Sequence, residues 1–193
     1  MEPFQVLIVS HSFGSCGKEV FDQLEQAGIR YTQIHSKEIL REDELTSLIA
    51  PYDGVIVGAD IVSRRVIEAG SRLKIIAKHG VGLDNIDLQA AKEHGVAVTF
   101  AKNSNSVAVA ELAIGMIFAL ARNLVESTQE SRQKQWIRRK GLELSGATLG
   151  VIGTGNIGKE VIARMAPMCK EILAYDAFPD EAFAQQHRVR YVP

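Results

Sequence analysis

The stretch LGVIGTGNIGKEVIARM, Leu149–Met165, decides the fold. An apolar, β-branched run enters a glycine-rich turn and an amphipathic run leaves it, which predicts strand, turn and helix. Gly153, Gly155 and Gly158 fit the spacing G-x-G-x-x-G. The first glycine can make the tight turn, the second leaves room for an approaching pyrophosphate, and the third lets helix pack closely on strand. Unpaired N–H groups at the helix start then face the anion. The next strand, EILAYD, closes on Asp176, where a carboxylate can accept from both hydroxyls of an adenosine ribose. Ala177 and Phe178 follow, with no arginine for a 2′-phosphate, so the pattern favours NAD over NADP. The plainer alternative is a structural turn followed by a surface aspartate that caps the next helix.

Working outward, short β-rich runs alternate with helical ones. QVLIVS, YTQIH, GVIVG, KIIAK and VAVTF read as strands. Helices are expected over CGKEVFDQLEQAG, closed by Gly28, and over SKEILREDELTSLIA, with Ser36 as N-cap. The uninterrupted apolar runs suit strands buried on both faces, so a parallel sheet between helices is expected. Ser106 to about Lys140 reads as one long helix, apolar first and charged later. After it comes a second alternation: ATLGVIG, NIGKEVIARMA, EILAYD, DEAFAQQH and VRYVP. Two α/β units joined by a long helix result.

Of 193 residues, 46% are hydrophobic, enough for a core, and the net charge is −1 from 22 basic and 23 acidic residues. That balance supplies no field for nucleic acid or an anionic membrane. The densest basic run, Arg132–Lys140, is read as a solvated helix face. Cys16 and Cys169 have no metal or redox spacing, and the acidic start MEPFQVLIVS is unlike a secretion signal, so a cytoplasmic protein is expected. FGSCGKEV, Phe13–Val20, is not a phosphate loop: Gly14 and Gly17 are too close and Glu19 follows the lysine.

A second glycine turn, His79-Gly80-Val81-Gly82, follows the strand that ends at Lys78, and a helix is expected to open near Asp84 and Asn85. Its consecutive N–H groups can form a concavity for a small carboxylate, with Lys78 adding charge, or it is an ordinary strand–helix turn. Glu111, within the apolar part of the long helix, is read as a satisfied buried carboxylate or a subunit contact, and His79 as a residue of the turn's backbone.

KHGVGLDNIDLQAA, NSNSVAVAELAIGMIFALAR, Trp136 and LSGATLGVIGTGNIGKEVIARM with its following YD together resemble the D-2-hydroxyacid dehydrogenases, nearest the phosphoglycerate-dehydrogenase-like branch. The resemblance runs from about Lys74 to Asp176. It implies a flavodoxin-like parallel-sheet domain for substrate over residues 1–101. Residues 102–193 would be a linking and dimer helix plus the first half of a Rossmann dinucleotide-binding domain. It also implies that Gly80, Val81 and Gly82 hold a substrate carboxylate, with Lys78 at the distal end and Asn103, Asn105 and Ser106 near substrate and nicotinamide. Gly153, Gly155, Asn156, Ile157 and Gly158 would meet the pyrophosphate, Asp176 the ribose, and the 106–140 helix would join a homodimer. FAKNSNS departs from the family, with Lys102 where a proline usually stands, so loop geometry and substrate identity do not carry over. Family members keep their acid–base histidine, its carboxylate and a substrate arginine in the second half of the dinucleotide domain. Leu149 to Val192 supplies one half, so a fragment without catalytic residues, inactive by itself, is expected. The alternative in another class is a non-catalytic NAD-binding protein like the related transcriptional corepressors.

Overall fold

A computed structural model describes residues 2–36 and 38–193. The chain divides into two compact units, Met1–Ser104 and Asn105–Pro193.

The first unit runs β1 Gln5–Ile8, α1 Glu19–Gln26, β2 Arg30–Gln33, α2 Glu42–Leu48, β3 Gly54–Val57, α3 Arg64–Ala69, β4 Ile75–Lys78, α4 Leu88–Glu93 and β5 Ala97–Phe100. Its five strands are parallel in the order β2-β1-β3-β4-β5, a flavodoxin-like sheet. Alternation along the strands sends Leu7, Val55, Val57 and Ile76 to the face where Leu45, Ile49, Val66, Ile67, Ala90 and Ala91 are also buried. The opposite face carries Val6, Ile56, Ile75 and Ala77 around an apolar cavity, and α1 buries no residue there. At the sheet's amino edge the buried Asp53 accepts the Gln5 N–H at 3.0 Å and pairs with Lys74 at 2.9 Å and Arg72 at 3.2 Å. The Gln5 N–H first, then Lys74, hold its pKa at about 2, so a charged carboxylate pins three chain segments together.

The second unit runs α5 Ser106–Ala121, α6 Leu124–Arg132, β6 Thr148–Ile152, α7 Asn156–Met165, β7 Glu171–Tyr175, α8 Glu181–His187 and β8 Val189–Tyr191. Its sheet is parallel in the order β6-β7-β8, the arrangement of a Rossmann first half. Ala110 of α5 packs with Val161 and Met165 of α7, and Ile114, Ile117, Phe118 and Leu149 close around them.

Three helices differ from the sequence reading, each for a tertiary reason. The helix expected over 36–50 begins only at Glu42, and Lys37 lies outside the described residues. Ser36 makes a local turn with Glu38 instead of a cap, while the Leu40 N–H goes to Asp60 at 3.1 Å. The helix expected near Asp84 begins at Leu88, with Asp87 accepting the Ala90 N–H at 2.8 Å. Val62 detains the intervening loop by donating to Asn85 and accepting from Asp87. The single helix expected over 106–140 is two, bent by 66°. Asn123 takes the left-handed conformation at φ 50°, which asparagine tolerates, and the Leu142 N–H caps the Ala121 carbonyl at 2.7 Å. Of the basic run only Arg132 is helical; Gln133–Lys140 is a solvated irregular segment in which Trp136 is 91% exposed. Glu111 is exposed, not buried. No single described helix is long and apolar enough to cross a membrane.

Among the described residues β6 pairs only with β7, so its other edge is open, and Ile152 beside it is 90% exposed. Unpaired, uncharged, β-branched edges recruit other strands. The 193-residue chain should therefore self-associate through β6 in sedimentation at rising concentration. Burying one isoleucine contributes about 1.5–3 kcal/mol, so Ile152→Lys should weaken the association about tenfold or more. A wild-type chain that stays monomeric throughout, or an unaffected variant, contradicts this.

Candidate functional site

The glycine turn is built by close approach. A Cβ on Gly158 would lie 2.1 Å from the Gly153 carbonyl oxygen, so this position in the first turn of α7 takes only glycine. Gly153 itself sits at φ +89°, in the left-handed region. Its N–H still donates to Tyr175 at 2.8 Å, which keeps the turn in line with the β6–β7 ladder. Gly155 caps α7 in an extended conformation, and nothing lies within 4 Å of where its Cβ would stand. In the first turn of α7 the N–H groups of Ile157 and Gly158 have no intrahelical acceptor. The three glycines thus do three different things: turn, open space and close packing.

Asp176 follows β7 and reaches back to this turn. Its Oδ2 accepts the Thr154 N–H at 2.6 Å and the Thr154 hydroxyl at 3.1 Å, and Oδ1 accepts the Phe178 N–H at 2.9 Å. The Phe178 N–H, then the Thr154 N–H and hydroxyl and the Lys159 charge, lower its pKa from the ordinary carboxylate value. A charged, oriented acceptor therefore stands beside the turn. Tyr191 lies 2.8 Å from the Thr154 hydroxyl, and Lys159 pairs with Asp180 at 2.5 Å. Sequence reading missed Thr154, Tyr191 and this lysine–aspartate pair.

The second turn lies in the first unit. Gly80 has φ +150°, and the N–H groups of Gly80, Val81 and Gly82 have no protein acceptor among the described residues. Lys78 runs beneath it, its Cε 3.3 Å from where a Gly80 Cβ would stand. Its ammonium donates to the Gly58 carbonyl at 2.6 Å and to the Asn85 amide oxygen at 2.5 Å. Both acceptors are neutral; burial lowers the lysine's pKa, and the Asp60 and Asp84 carboxylates nearby act in the opposite direction. This ammonium is held under the turn rather than extended toward a distal ligand group. Because α4 starts only at Leu88, no helix start adjoins the turn, and the backbone and Lys78 are left as its anion-attracting features.

His79 has partners that sequence reading did not supply. Its Nδ1 lies 2.8 Å from the Ser10 hydroxyl and 3.4 Å from that of Ser12, and Phe13 meets its ring edge-on. The Ala101 N–H donates to the Gly80 carbonyl at 3.0 Å, which sets the following loop beside the turn. Asn103 in that loop is left-handed at φ 60°, and Ser106 is buried at the start of α5 in the second unit. The structure thus gathers Gly153, Gly155, Asn156, Ile157, Gly158 and Asp176 at one site, and Lys78 with Gly80–Gly82 at another. Among the described residues no histidine, cysteine and carboxylate group gathers as for a metal.

Two parallel-sheet units, the second opening on a G-x-G-x-x-G turn answered by an acid after the next strand, define an α/β protein of the dinucleotide-binding kind. The chain belongs to the D-isomer specific 2-hydroxyacid dehydrogenase family, whose catalytic-domain model matches residues 6–175. It is 36% identical over 191 residues to the D-3-phosphoglycerate dehydrogenase of Synechocystis sp., covering 95% of this chain and 34% of that one. It is 44% identical over 144 residues to the hydroxypyruvate reductase of Thermotoga maritima, covering 73% of this chain and 47% of the relative. A solved 3-phosphoglycerate dehydrogenase of Entamoeba histolytica with NAD+ bound superposes with a TM-score of 0.75 at 29% identity, over 93% of this chain and 56% of that one. The chain therefore spans between a third and about half of the length of these relatives.

The glycine roles separate by mutation. Gly158→Ala should push α7 off β6 and cost about 1–3 kcal/mol of stability, as overpacking does. Gly155→Ala meets open space and should stay within about 0.5 kcal/mol. Denaturant unfolding of both variants checks this; equal costs would mean that the close approach at Gly158 carries no strain.

Proposed function

We propose that the chain is the cofactor- and carboxylate-binding part of an NAD-dependent oxidoreductase acting on the CH–OH group of a D-2-hydroxy acid. The observation that carries the reading is Asp176 held by Thr154 at the glycine turn. In this reading the pyrophosphate takes the N–H groups of α7's first turn, where the helix dipole also favours an anion. Asp176 accepts from the adenosine ribose hydroxyls. A 2′-phosphate would meet its charge with no side-chain cation at Ala177 or Phe178 to offset it. The bound nicotinamide supplies the hydride chemistry.

In the first unit, the Gly80–Gly82 N–H groups and the Lys78 charge favour the carboxylate of a small 2-hydroxy or 2-oxo acid. Similarity to a phosphoglycerate dehydrogenase and a hydroxypyruvate reductase supports that class. The 193 residues by themselves are proposed not to turn such an acid over. Three of the histidines already have partners: His79, in that same turn, bonds serine hydroxyls, His94 the Ala90 carbonyl, and His187 lies against the Phe183 ring. A second copy is proposed to cover the outer side of α5, where Leu112, Met116 and Leu120 are exposed at four-residue spacing.

Titration of NAD and NADP against wild type and Asp176→Ala tests the cofactor assignment. Wild type should prefer NAD, and the variant should lose on the order of ten- to a hundredfold in NAD affinity, the worth of hydrogen bonds to a charged acceptor. Equal affinity of wild type for both cofactors would sink the assignment. Gly82→Val tests the second turn, because its side chain would crowd Asp84, whose Oδ2 lies 3.3 Å from the Cβ position. It should weaken 2-hydroxy-acid binding far more than NAD binding; an equal fall in both marks the turn as structural.

A further inference from the structure

Thr154 is only 4% exposed, and its hydroxyl lies between two oxygens. It is 3.1 Å from Asp176 Oδ2 and 2.8 Å from the Tyr191 hydroxyl. An ionised carboxylate can only accept, so the single Thr154 hydroxyl proton points to Asp176. Thr154 Oγ1 must then accept from Tyr191, whose one proton is thereby committed. The Tyr191 oxygen in turn accepts the Asp180 N–H at 3.2 Å. The direction of every bond follows: Asp180 N–H to Tyr191, Tyr191 to Thr154, Thr154 to Asp176.

Both ends of this relay are anchored. Asp180 starts α8, accepting the Phe183 N–H at 3.0 Å, and pairs with Lys159 of α7, whose ammonium also lies 5.2 Å from the Phe183 ring centre. Asp176 is held from its other side by the Phe178 N–H at 2.9 Å. Without the Tyr191 hydroxyl, Thr154 would still donate to the carboxylate, but its oxygen would lose the donor that polarises and orients it, and its bond to Asp176 would weaken. Chains of hydrogen bonds of this kind polarise each other and fix side-chain direction.

We propose that Tyr191 is a positioning residue for cofactor choice: through the Thr154 hydroxyl it keeps Asp176 aimed at the adenosine ribose and so sustains the preference for NAD over NADP. The proposal rests on the assignment of Asp176 to the ribose. Tyr191 stands on the third strand of the unit, outside the glycine turn and outside the acid that answers it, and it touches the cofactor only through Thr154 and Asp176. A residue that merely joined β8 to α8 would affect both cofactors alike. A positioning residue affects the cofactor that offers a free 2′-hydroxyl.

The test is a cycle in the full chain with NAD and NADP as probes. Tyr191→Phe should weaken NAD about three- to tenfold, the worth of one neutral hydrogen bond, and leave NADP unchanged. In an Asp176→Ala background the same substitution should cost nothing further. Thr154→Val, which removes the middle hydroxyl, should give a similar loss for NAD, and combining it with Tyr191→Phe should add little. Equal losses for the two cofactors, a loss that persists without the Asp176 carboxylate, or no loss at all would overturn the proposal. If Asp176→Ala weakens NAD but Tyr191→Phe does not, only the relay falls. If Asp176→Ala leaves NAD affinity untouched, the ribose assignment falls and the relay with it.

Discussion

Parallel strands cannot be joined by a tight turn, so each must run out into a crossover before the next begins. That constraint shapes both units. Every strand delivers its carboxyl end to the same edge of its sheet, and the loops that leave there have to share the space. In the first unit it gathers Ser10 after β1, Gly58 after β3 and His79–Gly82 after β4, close enough for Ser10 to bond His79 and Lys78 to bond Gly58. In the second it brings Thr154 after β6, Asp176 after β7 and Tyr191 at the end of β8 within hydrogen-bond reach. Neither site is a feature of one segment; each is where crossovers meet.

In the proposed function the two turns attract anions by different means. At Gly153–Gly158 the donors are the N–H groups of a ten-residue helix, and the adjacent charge is negative, so phosphate and carboxylate must keep to separate sides of the turn. Asp176 stays on its side because Thr154 and Phe178 hold it there. At Gly80–Gly82 the adjacent Lys78 ammonium is half-buried and oriented by neutral acceptors, with the Asp60 and Asp84 carboxylates also acting on it. A dinucleotide and a small acid have complementary needs of this kind: hydroxyls beside an acid in one case, a carboxylate over a cation in the other.

What could be read in the sequence was what local physics decides. Apolar runs such as GVIVG and KIIAK became strands, but only one of their faces is fully buried: Ile56, Ile75 and Ala77 on the other stay half-buried, contrary to the two-sided burial expected. Gly28 closed α1, with the Gly28 and Ile29 N–H groups returning to Glu25 and Leu24. The turn geometry at Gly153 and Gly158 also followed from spacing alone. What failed was decided by distant partners. The starts of α2 and α4 moved because Asp60 and Val62 hold their approaches, and α5 ended early because Leu142 returns to cap it. The Ser10–His79 and Thr154–Tyr191 bonds join residues 69 and 37 positions apart, and no periodicity or motif carries such a pairing.

The central claim is that the second unit holds the adenosine end of a dinucleotide through its glycine turn and Asp176. Its most direct test is an amide NMR titration of the 15N-labelled chain with ADP-ribose, which carries the pyrophosphate and ribose without the nicotinamide. The account predicts saturable shifts at Thr154, Gly155, Asn156, Ile157 and Asp176, with Gly80, Val81 and Gly82 unmoved. Shifts confined to the Gly80–Gly82 turn, or none at Gly153–Gly158 at millimolar ligand, would contradict it.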